Sequence, residues 1–449
     1  MSVQAIFKEQ LSYFARTNKA ISNQDSIGFL TPKALIWSVN GSQHQLSLDD
    51  VVGVSIVEAS ENYAPYLIVS AYPLQKSKLN RRQRVLKEYC FTCPNPEVRS
   101  KAIALSQWQQ AINNTLDGKP IDAIVKPRHL QIILNPISGK GKALKIFEQV
   151  RSLFVRSHLE FTVTETFSAE DTKSFVSKLD LANTDGLVVV GGDGTIHDVI
   201  AGLMSRSDRS VAIKTPIGVI PAGTGNGLSK TLLEVSGEAY SPLNAAFIIA
   251  KGKQQSCDLA IVEQNGQQSY SFLSLAWGLI SDADLESEKL KFLGSLRFDV
   301  YALMLICLLR TYQGRFSFIP HPDWQLPDNQ TISHHGEWHV IEDEFIFIWA
   351  MNTAWAAHDM NVTPHAQLND GAMDVLVMRG GTSRIELLRA LLRCGKGKHL
   401  SLPHMEYYKV RSFRLEPLSN YGILLVDGES VDYSAIQMNV IPALACVSC

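Results

Sequence analysis

Three segments of this chain repeat one pattern: an apolar run, a glycine-rich turn, then an amphipathic stretch. Leu130–Leu134 leads into Asn135-Pro-Ile-Ser-Gly-Lys-Gly-Lys142, Gly186–Val190 into Gly191-Gly-Asp-Gly-Thr195, and Ile217–Ile220 into Pro221-Ala-Gly-Thr-Gly-Asn-Gly227. Short apolar runs alternating with helical patterns predict buried parallel strands joined by crossover helices, a doubly wound α/β sheet. In such a sheet the turns after the strands gather along one edge, where ligands bind. Gly191, Gly192, Gly194, Gly223 and Gly225 lack a Cβ, so backbone amides can close on a bulky anion. A helix starting near Thr195 points its unpaired N–H groups at the same place. Phosphate is the expected occupant, with Lys140 and Lys142 supplying positive charge. Neither a Walker A box nor the dinucleotide Gly-x-Gly-x-x-Gly fingerprint is present.

Asp193 sits inside the second turn. A carboxylate beside a phosphate is costly unless it manages a proton or a metal ion, and aspartate also caps turns. Asp198, about one helical turn past that loop, either holds a magnesium-bound water or is an exposed helix-face carboxylate. Thr224 and Asn226 either donate to phosphate or ribose or serve turn chemistry. Asp282 and Asp284 follow the apolar wall Leu279-Ile280, and either recognise a cationic group or cap a helix.

With 449 residues the chain exceeds one ordinary core. A formal net charge of -2 leaves no global basic field, which argues against nucleic acid as a partner. No apolar stretch has spanning length and no signal-peptide pattern opens the chain, so a cytoplasmic protein at most peripherally attached to membranes is expected. Cys90-Phe-Thr-Cys93 and Cys446-Val-Ser-Cys449 read as buried thiols rather than a shared zinc site.

Residues 1–120 read as short strands followed by one helix carrying Trp108, resembling a pleckstrin-homology barrel; the run Lys76 to Arg84 is either a lipid-headgroup contact or a solvated loop. Residues 128–250 carry the α/β alternation. Residues 251–449 read as an antiparallel β-sandwich-like domain with a helical insertion at 284–311.

The three glycine motifs, in that order, resemble the diacylglycerol-kinase catalytic superfamily of lipid kinases. Within it, Ser274-Leu-Ala-Trp-Gly-Leu-Ile-Ser-Asp-Ala-Asp-Leu-Glu-Ser-Glu-Lys289, Leu293-Gly-Ser-Leu-Arg297, Phe413-Arg-Leu-Glu-Pro417 and Val426-Asp-Gly-Glu429 resemble the sphingosine kinases. The resemblance covers roughly residues 128 to 449. It implies an ATP- and Mg²⁺-dependent kinase acting on a primary hydroxyl of sphingosine or another sphingoid base, with residues 251–449 as its lipid-binding domain. Asp193 would be its general base. The first loop (Asn135, Ser138, Lys140, Lys142), Thr164 with Glu165, Thr195, Arg297, Gly428 and Glu429 would lie at the nucleotide, with Glu429 and Asp198 at magnesium and Asp427 at the nucleotide or its surroundings; a tight hairpin turn alone explains Asp427-Gly428 equally well. It places amine recognition on Asp284, near Asp282, Leu279 and Ile280. A diacylglycerol or ceramide kinase, an NAD kinase and a non-catalytic lipid-binding adaptor are the competing readings. Ile137, where some members carry arginine, and Asp374, where some sphingosine kinases carry histidine, depart from the pattern. Oligomeric state is not legible.

Overall fold

The computed structural model describes residues 5–14, 27–39, 41–60, 64–76, 82–93, 97–286, 304–324 and 333–449. Arg297, most of the expected helical insertion and residues 77–81 of the basic run lie outside them. Contacts divide the chain into two compact units.

The first unit comprises residues up to Leu130 with Ile146–Thr162 and Ser241–Lys253. Its N-terminal part is β-rich, with two four-stranded antiparallel sheets and the 19-residue helix Val98–Leu116. Apolar residues alternating along the strands turn one face of each sheet inward. Leu35, Val54, Leu67 and Phe91 share one core with Leu105, Trp108 and Ile112 from the helix. Lys251 ends the helix Pro242–Lys251, and its ammonium donates to the carbonyls of Leu48 and Val51 at 2.8 and 2.9 Å. Burial pushes this amine down to about 8. Arg84 bonds Asp50 and the Tyr72 carbonyl, and its guanidinium lies 3.7 Å from the Phe247 ring centre.

The second unit contains Gln131–Lys145, Val163–Tyr240 and Gln254–Cys449. Its α/β part has the strand order Glu160–Glu165, His129–Leu134, Gly186–Gly191, Ile217–Pro221. Gly186–Gly191 is buried throughout, as expected for a strand covered on both faces. The order does not stop at Ile217–Pro221. Ile217 pairs in parallel with Val447, so the last long strand, Ile436–Ser448, joins this sheet to the antiparallel strands of the C-terminal region. Those strands enclose a core built on Trp277, Tyr312, Phe316, Phe345, Tyr408 and Phe413.

Cys90 and Cys93 are buried thiols, but Cys446, between buried Ala445 and Val447, and Cys449, just past the strand, are only half-buried. No helix among the described residues is long and apolar enough to cross a membrane.

Candidate active site

The three glycine loops meet through their backbones. Gly139 and Lys140 both adopt left-handed φ, +60° and +62°. A Cβ on Gly139 would stand 1.9 Å from the Ala222 carbonyl oxygen, so glycine alone lets the first loop reach the third. A Cβ on Gly223 would stand 2.4 Å from Gly192 Cα. The Asn135 side chain accepts from the Ile137 amide at 3.0 Å, which sets the first turn, while Lys140 and Lys142 stay exposed. Thr164 is half-buried and its hydroxyl accepts from Gln131 at 3.0 Å. Ser138 is half-buried at the start of the Ser138–Gly141 turn.

Asp193 opens the helix Asp193–Met204, two residues before the expected start at Thr195. Its carboxylate spans to the third loop. Oδ2 accepts from the Gly227 amide at 2.8 Å and Oδ1 from the Leu228 amide at 3.3 Å, capping the helix Gly227–Val235. Two forces oppose each other there. Burial, helped by the nearby Asp427 charge, favours the neutral acid, and the amide bonds favour the anion. Burial prevails and lifts the group to about 6. An ionised carboxyl has roughly four lone-pair sites, so two amide bonds leave it able to accept another proton donor.

Asn226 takes part in turn chemistry: its side chain accepts from the Gly223 amide at 3.0 Å and donates to the Gly223 carbonyl at 2.7 Å. Thr224 remains exposed and Gly225 lies against the Asp193 carboxylate.

Asp427 and Gly428, with φ of +52° and +85°, form the two-residue turn between Leu424–Val426 and Glu429–Val431. The Asp427 side chain turns inward. It accepts from the Ser271 hydroxyl at 2.7 Å, from the amides of Phe272, Leu273 and Ser274, and from His197 Nδ1 at 2.9 Å. A carboxylate so engaged serves as a joint in the protein. Sequence reasoning missed His197. It lies four residues beyond Asp193 and so on the same helical face, which was the available signal. Burial opposes its charge, but the bond and charge of Asp427 outweigh that and raise its affinity for a proton.

Glu429 is exposed, and its Oε1 stands 3.4 Å from where a Cβ on Gly194 would be. Asp198 pairs with Lys173 at 3.4 Å. Among the described residues no group of three or more His, Cys, Asp or Glu is arranged as a metal cage. Two carboxylates suit magnesium nevertheless, because that ion keeps waters and is usually held by one or two carboxylates together with substrate phosphates.

The helix Leu279–Glu286 is already under way before either aspartate, so neither caps its start. The two side chains diverge. Asp282 is buried and accepts from the Tyr312 hydroxyl at 2.5 Å and from Arg310 at 3.4 Å, while its Oδ1 has no hydrogen-bond partner among the described residues. Burial pushes both Asp282 and Tyr312 up. Asp284 is exposed, Leu279 buried and Ile280 half-buried. Asp374 is fully buried; Tyr407 and Lys409 bond one of its oxygens.

Residues 129–262 match the diacylglycerol kinase catalytic domain, and residues 326–448 the YegS C-terminal NAD kinase beta sandwich-like domain. Sphingosine kinase 1 of Arabidopsis thaliana is 35% identical over 68% of this chain and 68% of its own length. Sphingosine kinase 1 of Homo sapiens is 32% identical over 72% of this chain and 92% of its own length. The chain belongs to the sphingosine kinase family. As a member it is a lipid kinase of the diacylglycerol-kinase type, for which ATP is the phosphoryl donor. A structure described as a putative diacylglycerol kinase from Bacillus anthracis shares the fold, with a TM-score of 0.54 at 21% identity, over 73% of this chain and 98% of its own.

Proposed function

We propose that this lipid kinase transfers the γ-phosphoryl group of ATP to the primary hydroxyl of sphingosine or a related long-chain base, giving the 1-phosphate. The observation that carries the reading is Asp193, a carboxyl lifted to about 6 where the second and third glycine loops meet. A base of that affinity is charged at neutral pH yet still takes a proton readily. Asp193 accepts the hydroxyl proton as the alcohol oxygen attacks the γ-phosphorus, the bond from that phosphorus to the β–γ bridging oxygen breaks and ADP leaves, and the loop amides with Lys140 and Lys142 hold the phosphate oxygens. Transfer is direct, without a phosphoenzyme. Magnesium, when bound, neutralises phosphate charge; Glu429, beside Gly194, and Asp198 would hold it.

Sphingosine carries a cationic amine on the carbon next to its primary hydroxyl. Asp284, exposed on the helix that follows the apolar wall of Leu279 and Ile280, pairs with that amine. Diacylglycerol and ceramide have no such charge. The paired sheets and closing helix of the N-terminal part support a pleckstrin-homology-type barrel. The reading includes a peripheral, cytoplasmic location, where ATP and a membrane-dissolved substrate meet.

The test is phosphorylation of a lipid panel by purified protein with labelled ATP. Label should enter sphingosine and dihydrosphingosine. Preferential labelling of diacylglycerol or ceramide would overturn the substrate assignment, and no labelling of any lipid would overturn the catalytic one.

A further inference from the structure

The helix Arg384–Cys394 opens with a complete capping box, Ser383 bonding the Glu386 amide and Glu386 bonding back, so its frame is fixed. Leu387, Ala390 and Cys394 are buried. Apolar residues also occupy the opposite side. Ile385, Leu388 and Leu392, spaced i, i+3 and i+7, are 62%, 36% and 75% exposed and lie on one face. Single exposed leucines need no explanation, but a stripe along one helix does. Between 384 and 398 there are five basic residues and one acid, Glu386, which is engaged with Ser383 and pairs with His404. Arg389 and Arg393 border the stripe. Beside the helix, an open depression of about 750 Å³ is lined by Arg393, Lys398, His365 and Ser401 together with Pro364, Gly397 and Leu400, so two cations border it.

We infer that this face is a docking surface for an anionic lipid bilayer. Ile385, Leu388 and Leu392 enter the headgroup boundary while the arginines and the adjoining basic depression hold lipid phosphates. An apolar stripe bordered by cations is what an interfacial helix requires, and the local excess of positive charge selects a negative surface over a neutral one. The inference deepens the membrane part of the proposed function and rests on it for its purpose, but vesicle binding requires no turnover, so the two fail separately.

The experiment is co-sedimentation of the full chain with vesicles of phosphatidylcholine alone or mixed with phosphatidylserine. The wild-type chain should prefer the mixed vesicles, and added salt should weaken the preference. Leu388→Asn combined with Leu392→Asn should lower partitioning about tenfold or more. Arg389→Gln and Arg393→Gln should each lower it about fivefold. All four positions are exposed, so circular dichroism should not change, and neither should phosphorylation of sphingosine presented in detergent micelles. Variants that sediment like the wild-type chain would overturn the inference. So would a wild-type chain indifferent to phosphatidylserine, which would assign the stripe to a protein partner.

Discussion

His197 Nδ1 donates to Asp427 Oδ2 at 2.9 Å across 230 residues of sequence, tying the helix behind the second glycine loop to the Asp427–Gly428 turn. Asp427 also collects the Ser271 hydroxyl and three successive amides, so it organises the segment that leads into the strand Ser274–Gly278. Asp427→Ala would strand these buried donors. We expect a loss of about 3–5 kcal/mol in urea unfolding, against about 1–3 kcal/mol for His197→Ala, which removes one partner. An Asp427→Ala protein as stable as the wild type would refute the role.

The backbone contact between the second and third loops leaves no room for a methyl group at Gly223, where a Cβ would meet Gly192 Cα at 2.4 Å. Gly223→Ala should push the loops apart, weaken ATP binding at least tenfold by calorimetry and lower the melting temperature. Thr224→Ala, one residue on and exposed, should leave stability within about 0.5 kcal/mol.

The two acids at 282 and 284 should separate in their effects. Asp282→Ala leaves the buried Tyr312 hydroxyl without its acceptor and should cost about 1–3 kcal/mol of stability. Asp284→Ala should raise KM for sphingosine, with no comparable change for an amine-free lipid. Equal losses on both lipids would contradict amine recognition.

Much of the α/β framework was legible because it is written locally. Apolar runs such as Gly186–Val190 and glycines at each turn impose strand and loop within a few residues of one another. What escaped depends on chain-distant partners. Nothing near Ile217 signals that Val447 will extend its sheet. Turn chemistry was anticipated for Asp193, yet the helix it caps belongs to the next loop, at Gly227 and Leu228. Asp427 reads as half of a hairpin turn, which it is, but its five donors come from Ser271 to Ser274 and from His197. Asp282 and Asp284 look equivalent two residues apart. Only Tyr312 and Arg310, some thirty positions later, draw one of them inward.

A general base at Asp193 would set a pH dependence. Its carboxyl is lifted to about 6 by burial, so the competent anion prevails above that value and is lost as pH falls through it. The most direct measurement is single-turnover transfer from labelled ATP to sphingosine, for the wild-type chain and Asp193→Asn, at pH values on either side of 6, with ATP affinity and melting temperature recorded for both. The account predicts a wild-type rate that climbs through pH 6 to a plateau, and an Asn variant that still folds and binds ATP but is slower by about 10²–10⁴-fold with no such climb. An Asn variant that keeps near-normal turnover, or a wild-type rate flat across pH 6, would contradict it.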